Sequence, residues 1–119
     1  MDNGSFWLHL DQLAAAHELV IDRPAGTVHP RYDDFVYPYD YGYLQGTRSM
    51  DQGGVDVWCG SLANRQVTGI ICTVDLSKKD TEIKILLGCT PAEAQEILAV
   101  HNRGSQAGVL VLRGFKGDC

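Results

Sequence analysis

The chain has 119 residues, of which 45% are hydrophobic and 21% charged, and its formal net charge is −5. This length predicts one domain over residues 1–119, built around one hydrophobic core. The negative charge argues against a general nucleic-acid or anionic-membrane surface, and the sequence lacks the apolar run of about 18 residues that spans a membrane. An acidic chain that binds phosphate therefore needs metal ions or a local cluster of cations.

The N-terminal sequence and the cysteines predict a cytoplasmic protein. Acidic and polar residues occupy the positions where a secretory signal peptide has a basic start and an apolar centre. The cysteines are Cys59, Cys72, Cys89 and Cys119, and they form no C-x-x-C pair. Because three of them lie in or beside apolar runs, we interpret them as buried reduced thiols rather than as zinc ligands.

The first predicted elements are a helix and a short strand. Apolar residues at helical spacing predict an amphipathic helix over residues 5–17, within an N-terminal segment of residues 1–18. Leu19–Ile21 then predicts a strand that ends at Asp22. On spacing alone, Asp22 is equally compatible with a carboxylate of a site and with a solvated turn residue. The RPAGTVHP segment that follows is rich in proline and glycine and predicts a loop or extended chain.

The aromatic segment Phe35–Leu44 alternates in the way that is typical of a strand. Its four tyrosines, at alternate positions from Tyr37 to Tyr43, would all lie on one face of a regular strand. Such a face is too polar for a dry core and too aromatic for an ordinary solvent face, so a functional site and barrel packing stay equally compatible with it. Gly42 indicates a bulge or a close backbone approach.

Val55–Cys59 is the next predicted strand, with Asp56 and Trp58 on the face opposite to the other three residues. Asp51 precedes this strand across a glycine-containing turn. Two carboxylates close together repel each other unless a cation lies between them, and hard divalent cations prefer oxygen ligands. The turn therefore indicates one wall of an oxygen-lined metal site.

A hairpin follows. The apolar run Val67–Val74 predicts a central strand that ends at Asp75, and Asp80 begins the return into Ile83–Leu87. This places one carboxylate on each side of the turn. Lys84 alternates with its two isoleucine neighbours and therefore points to the opposite face of the sheet.

The last elements are a helix and a strand. Thr90 and Glu93 form the sequence pattern of a capping box at a helix start. His101 ends the buried stripe of this helix, and we interpret it as a core residue. Val109–Leu112 predicts a final strand, and residues 114–119 a flexible tail. The order of elements predicts an α+β fold, mainly β, in which short strands form a small mixed barrel between an N-terminal and a late helix.

Two segments resemble the soluble inorganic pyrophosphatase family (family I type), of which the chain looks like a short and divergent member. VYPYDYGYLQGT followed by DQGGVDVW is similar to the family's Tyr-Pro-x-Asn/Asp-Tyr-Gly strand and its Asp-x-Asp-Pro-x-Asp-Val turn. GIICTVDLSKKD carries the second match, two aspartates five positions apart. The resemblance covers about Val20 to Arg103. It implies an OB-like five-stranded β-barrel, a homo-oligomer, and hydrolysis of pyrophosphate with Mg²⁺, or Mn²⁺, as cofactor.

The resemblance also implies roles for individual residues. Acidic residues would hold the ions that activate water or that arrive with the substrate, while phenols and basic residues would contact phosphate. The implied metal ligands are Asp22, Asp51, Asp56, Asp75 and Asp80. The implied catalytic residues are Asp51, Asp56 and Tyr41, and the implied substrate-binding residues are Tyr37, Lys84, Arg103 and Arg31, with Arg23 as the alternative to Arg31.

The sequence departs from the family pattern in its catalytic turn. Gly53 stands where the family has the aspartate that helps deprotonate the attacking water. Glu82 stands at a family lysine, and Lys84, two residues later on the same face, is the substitute that the resemblance implies. Three functions stay open: Mg²⁺-dependent hydrolysis of pyrophosphate or a related phosphoanhydride, a weak or inactive relative that binds metal and phosphate, and a non-catalytic interaction module on the same scaffold. The expected partner is a small phosphate-containing substrate, with neither nucleic acid nor membrane.

Overall fold

A computed structural model describes residues 4–114 of the chain. In chain order the elements are α1 (Gly4–Ala16), β1 (Leu19–Arg23), β2 (Asp40–Leu44), β3 (Val55–Cys59), β4 (Val67–Asp75), β5 (Asp80–Leu87), α2 (Pro91–Val100) and β6 (Gln106–Leu112). The tail predicted for residues 114–119 lies, after Gly114, outside the described residues. No helix within residues 4–114 is long and apolar enough to cross a membrane.

The strands form one six-stranded mixed sheet in the order β1-β2-β3-β5-β4-β6. Only the β3–β5 pair is parallel, and the other neighbours are antiparallel. The α+β, mainly β prediction is confirmed, but β1 and β6 lie at opposite edges and the sheet does not close into a barrel. The predicted OB-like five-stranded barrel is therefore not confirmed. The physical reason is that a helix covers each face, so the sheet buries its apolar side chains without curling onto itself.

Each face of the sheet has its own hydrophobic cluster. We call the face under α1 the α1 face and the face under α2 the α2 face. The alternation of β3 distributes its residues as predicted: Val57 packs with Trp7 of α1, and Trp58 packs with Ala94 and Ile97 of α2. Lys84 lies on the α2 face, since its neighbour Ile85 belongs to the α1-face cluster. The sheet therefore separates one plain apolar face from one that also carries charged and phenolic groups.

The predicted strand Phe35–Leu44 is confirmed only from Asp40 onward. The preceding residues leave the sheet at Pro38, which has no N–H for a strand ladder. They fold back over the α2 face, where the Tyr37 ring lies 5.5 Å from the ring of Tyr41 and 5.8 Å from that of Trp58. The four tyrosines thus do not lie on one strand, because Tyr37 and Tyr39 precede β2 and belong to the segment that covers the α2 face.

The close approach predicted at Gly42 is confirmed. A Cβ atom there would lie 1.8 Å from the Val20 carbonyl oxygen, and the β1–β2 register shifts between Ile21 and Arg23 opposite this glycine. Only a residue without a side chain allows these two strands to pair so closely. This bulge turns the end of β1, including Asp22, out of the regular register.

The capping box of α2 is also confirmed. The Thr90 hydroxyl accepts a hydrogen bond from the Glu93 N–H at 3.1 Å, and a Glu93 carboxylate oxygen accepts from the Thr90 N–H at 2.8 Å. The same oxygen accepts from the Ser61 N–H at 3.2 Å, which ties the helix start to the end of β3. These bonds fix α2 on the sheet and set the position of the chain that follows it.

Three cysteines fall within the described residues, and all three are free. Cys59 and Cys89 are buried, as predicted, whereas Cys72 is only partly so. Burial raises the pKa of Cys89 to about 12, so its thiol stays protonated and unreactive at neutral pH. Cys119 lies outside the described residues.

Candidate functional site

A cleft of about 590 Å³ opens on the α2 face of the sheet. Its floor contains Tyr41, Trp58 and Lys84 from three neighbouring strands. The loop from His29 to Tyr37 forms one wall, and the turns at the ends of β4 and α2 form the other. Parts of the chain that are far apart in sequence thus meet at one cavity.

Cations outnumber carboxylates around this cavity, which we call the cationic cleft. Its charged lining residues are Arg31, Lys78, Lys84 and Arg103 on the positive side and Asp34 and Asp75 on the negative side. The ion pairs formed within residues 4–114 do not include Arg31, Lys78 or Arg103. Their positive charges therefore stay available to an anion that enters the cleft.

Asp75 has a structural role at the edge of the cleft. Its Oδ1 atom accepts hydrogen bonds from the backbone N–H groups of Ser77 and Lys78 at 2.9 and 3.1 Å and from the Ser105 hydroxyl at 2.9 Å. These bonds, the one from Lys78 foremost, hold the pKa of Asp75 below its usual value. Asp75 thereby closes the β4–β5 turn and fastens it to the segment after α2, and Asp80 lies opposite it in the β4–β5 register.

Lys84 is the most highly connected side chain of the floor. Its Nζ donates to Asp56 Oδ2 at 2.8 Å, to Glu82 Oε2 at 2.9 Å and to the Tyr41 hydroxyl at 3.1 Å. Its side chain is only 6% exposed. Burial disfavours the ammonium, but the attraction of the Asp56 and Glu82 carboxylates outweighs it and raises the pKa of Lys84. Lys84 is therefore a permanent buried cation.

Tyr41 and Tyr37 are neutral phenols at physiological pH. Burial raises the pKa of both hydroxyls, more strongly at Tyr41, whose neighbour Asp56 adds to the effect. A neutral phenol keeps its proton and can donate it to a phosphate oxygen. Arg103 stands over the mouth, where its guanidinium lies 5.7 Å from the centre of the Phe35 ring, a distance suited to a cation–π contact.

His101 is a structural residue, as predicted. Its Nε2 accepts the Trp58 indole N–H at 2.9 Å, and its Nδ1 lies 2.9 Å from the Gln106 side-chain oxygen. The indole only donates, so Nε2 carries no proton and Nδ1 donates to Gln106. Burial, together with the nearby Lys84 charge, lowers the pKa of His101 to about 4. Both ring nitrogens are thus occupied by protein partners, and neither is free to act on a ligand.

The carboxylates beside Lys84 form a second group, next to the floor of the cleft. Glu82 has a side chain only 5% exposed, and its Oε1 atom has no hydrogen-bond partner within residues 4–114. Burial raises the pKa of Glu82, and the neighbouring Asp51 raises it further. Asp51 itself accepts from the Ser49 hydroxyl and from the Gly53 N–H, and these bonds lower its pKa. Asp56 and Glu82 therefore both contact Lys84, and Asp51 lies beside Glu82.

The residues assigned from the sequence divide into two sets. Those implied to contact phosphate, together with Tyr41, all line the cationic cleft: Arg31, Tyr37, Tyr41, Lys84 and Arg103. The five implied metal ligands do not form one group. Within residues 4–114, no cluster of three or more His, Cys, Asp or Glu side chains has the arrangement of a metal site. Asp22 is exposed on the β1 bulge, and Asp75 with Asp80 lies at the hairpin end.

We call Asp51, Asp56 and Glu82 the acid group. Their donor atoms and their contacts decide whether the protein itself can hold a divalent ion here. The donors are the hard oxygens that Mg²⁺ prefers, and the unpartnered Glu82 oxygen indicates unmatched negative charge. However, the Lys84 ammonium already lies within 2.9 Å of both Asp56 and Glu82, where an ion bridging these two carboxylates would have to lie. With Lys84 in this position, the acid group does not fit a bridging ion. The Mg²⁺ assignment stays a prediction.

Sequence reasoning missed several residues of this site. Glu82 was treated only as a departure from a family pattern, although its parity with Lys84 on β5 places both on the α2 face. Lys78 has no predicted role in the sequence analysis, yet it lines the cleft. The pairing of Asp56 with Lys84 depends on the parallel contact of β3 with β5, for which the sequence carries no local signal.

No protein-family model matches this chain, and no curated protein matches it at a significant level.

Proposed function

We propose that this protein binds a small phosphoanhydride in the cationic cleft, with inorganic pyrophosphate as the simplest case, and hydrolyses it with Mg²⁺. One observation carries the proposal. Arg31, Lys78 and Arg103 come from a loop, the β4–β5 turn and the segment after α2, and they line one cavity together with the phenols of Tyr37 and Tyr41. Several cations and neutral donors around one cavity suit a compact ligand of high negative charge.

The outer cations and the phenols supply the binding groups. Arg31 and Arg103 present planar guanidinium groups, which bind phosphate oxygens in bidentate fashion, and Lys78 in the β4–β5 turn adds a point charge. Tyr37 presents a neutral O–H donor, and Tyr41 is a neutral phenol whose hydroxyl accepts a hydrogen bond from Lys84. As the bond to the leaving phosphate breaks, negative charge develops on that phosphate, and fixed cations stabilise it more than they stabilise the starting anhydride.

The protein residues that would share a Mg²⁺ ion with the substrate are Asp75, which lines the cleft, and Asp80 opposite it. Mg²⁺ is commonly held by one or two carboxylates together with substrate phosphates rather than by a cage made of protein alone. When bound, such an ion neutralises phosphate charge and lowers the pKa of a water molecule. The hydrogen bonds that the Asp75 side chain accepts all go to its Oδ1, which orients the carboxylate at the end of the turn.

Binding without turnover is the second candidate, and the turn at Gly53 favours it. No carboxylate replaces the general base that the family resemblance places at this position. A positioned general base typically contributes a factor of about 10² to 10⁴ to the rate. The expected activity is correspondingly low, and a protein that only retains the phosphoanhydride would have the same cleft.

Phosphate release and calorimetry distinguish the two candidates. The protein would be given pyrophosphate with and without Mg²⁺, and the non-hydrolysable analogue imidodiphosphate would be titrated in parallel. Arg103→Gln serves as the cleft variant, and Arg48→Gln, which changes an exposed arginine outside the cleft, is the matched control. Mg²⁺-dependent release that Arg103→Gln lowers and Arg48→Gln does not supports hydrolysis. Analogue binding without release supports the second candidate, and the absence of both overturns the proposal.

A further inference from the structure

We infer that the ammonium group of Lys84 is the resident cation of the acid group, occupying the position that a divalent ion would take between Asp56 and Glu82. The protein without substrate then holds no divalent ion at these carboxylates, and removal of the Lys84 charge turns Asp51, Asp56 and Glu82 into a divalent-cation site. This inference concerns the unliganded protein and does not depend on whether the cleft binds or hydrolyses a phosphoanhydride.

The hydrogen bonds of Lys84 support this role. An ammonium group has three N–H donors, and those of Lys84 go to Asp56 at 2.8 Å, Glu82 at 2.9 Å and Tyr41 at 3.1 Å. No donor is left for a phosphate ligand unless one of these bonds breaks. Lys84 therefore neutralises protein carboxylates, and the outer cations of the cleft are the ones that meet an anion.

The sheet register fixes the position of this cation. β3 and β5 are parallel neighbours with Val57 opposite Ile85, so Asp56 and Lys84 precede this pair on adjacent strands. Glu82 lies two residues before Lys84 on the same face of β5. The ammonium therefore reaches its carboxylates from within the same sheet, and its position does not depend on a flexible loop.

The charge balance of the group shows that a stronger cation could be accommodated. The Lys84 ammonium contacts Asp56 and Glu82, Asp51 lies beside Glu82, and the Oε1 atom of Glu82 accepts no hydrogen bond from a donor within residues 4–114 although its side chain is only 5% exposed. A buried carboxylate oxygen without a partner is unfavourable. If the lysine charge is removed, the group loses its cation but keeps its oxygen donors, which are the ligands that Mn²⁺ and Mg²⁺ prefer.

The test is direct Mn²⁺ binding, measured by electron paramagnetic resonance on the full chain without any phosphate. We expect the wild-type spectrum to show free Mn²⁺ only. Lys84→Met, which keeps the length of the side chain and removes its charge, should bind one Mn²⁺ at least about tenfold more tightly than the wild type, a difference of about 1.4 kcal/mol in binding free energy. The double variant Lys84→Met with Glu82→Gln should lose this binding. Lys78→Gln, the control lysine variant of the same cleft, should behave as the wild type.

The inference is overturned if the wild type binds Mn²⁺ and Glu82→Gln or Asp56→Asn abolishes that binding, because an ion would then share the site with Lys84. It is also overturned if folded Lys84→Met binds no better than the wild type. Should Lys84→Met fail to fold alone, the wild-type titration still decides the first point, and Mn²⁺ added during refolding decides the second. Recovery of the folded far-UV circular dichroism spectrum with Mn²⁺ supports the inference, and no recovery counts against it.

Discussion

The charged side chains at the rim of the cationic cleft are exposed to solvent, whereas the charged side chain at its floor is buried and paired with a carboxylate. At the rim, Arg31, Lys78 and Arg103 lie on loops and turns, are exposed and form no ion pair within residues 4–114. At the floor, Lys84 and Glu82 lie on a strand, are buried and contact each other. A charge exposed to water needs no partner, whereas a buried one does.

This difference indicates which part of the site acts on a ligand and which part holds the site together. The rim has free positive charge and little effect on the packing of the sheet. At the floor, the Lys84 ammonium is paired with protein carboxylates, and loss of these contacts would lower the stability of the fold strongly. The variants below separate the two roles, because floor variants should act mainly on folding and rim variants mainly on binding.

Removal of the floor cation should have the largest effect. In Lys84→Ala, the buried Glu82 and the partly buried Asp56 lose their counter-ion, and breaking a buried ion pair by removing one partner typically costs about 3 to 5 kcal/mol. Urea denaturation should show a loss of this size in the free energy of unfolding. Lys78→Ala, an exposed lysine of the rim, should change stability by less than about 0.5 kcal/mol. Equal losses in the two variants would contradict the distinction between rim and floor.

Acid should destabilise the floor through His101. Its pKa is about 4 in the folded protein, against about 6.5 for an unperturbed histidine, so the unfolded chain binds the additional proton between these values. Stability therefore falls as the pH drops from about 6.5 to about 4, by on the order of 3 kcal/mol. Urea denaturation across this pH range measures the loss.

The control for this pH dependence is His101→Gln. Glutamine keeps an acceptor for Trp58 and a donor for Gln106, but it does not titrate. Glu82, whose pKa is raised, contributes in the opposite direction, and it does so equally in both proteins. The difference between the two profiles therefore isolates His101, and identical profiles would show that the imidazole is not the titrating group.

Local patterns predicted much of this arrangement. Strand alternation correctly placed Trp58 and Lys84 on the face opposite to Val57 and Ile85. The capping box at Thr90 fixed the start of α2, because its hydrogen bonds involve only neighbouring residues. These features depend on short stretches of chain, which is why the sequence was sufficient to predict them.

Features that depend on long-range contacts could not be read in the same way. The alternating tyrosines predicted a longer β2. In the structure Pro38 ends the strand ladder, and Tyr37 packs on Tyr41 from above. The alternate spacing of the tyrosines in the sequence is compatible with both arrangements. The partner of Lys84 depends on the adjacency of β3 and β5, which are neighbours in the sheet although β4 lies between them in the chain. The sequence predicted which face each charge occupies, while the partner of each charge required the structure.

Placement of an aspartate at Gly53, where the family resemblance implies the general base, tests whether the turn before β3 takes part in the proposed hydrolysis. Gly53→Asp should raise the rate of Mg²⁺-dependent phosphate release, by up to about 10² if the new carboxylate acts as a general base. A Cβ atom at this position would lie 3.2 Å from Asp51 Oδ1, so a small shift of that side chain is required. Gly53→Asn, with the same shape but no base, is the control. A higher rate in Gly53→Asn as well would point to an effect of the turn conformation.

Substitution at the rim should give the smallest effect and the most selective one. Arg31→Gln removes one exposed cation, so we expect imidodiphosphate to bind about 5- to 30-fold more weakly, corresponding to about 1 to 2 kcal/mol for a lost charge-assisted contact. Because Arg31 forms no ion pair within residues 4–114, its loss should leave the free energy of unfolding unchanged within about 0.5 kcal/mol. Calorimetry at low and at physiological ionic strength should also show a smaller salt dependence in the variant, since one screened attraction is gone. Weaker binding accompanied by an equal loss of stability would mean that Arg31 supports the loop and does not contact the ligand.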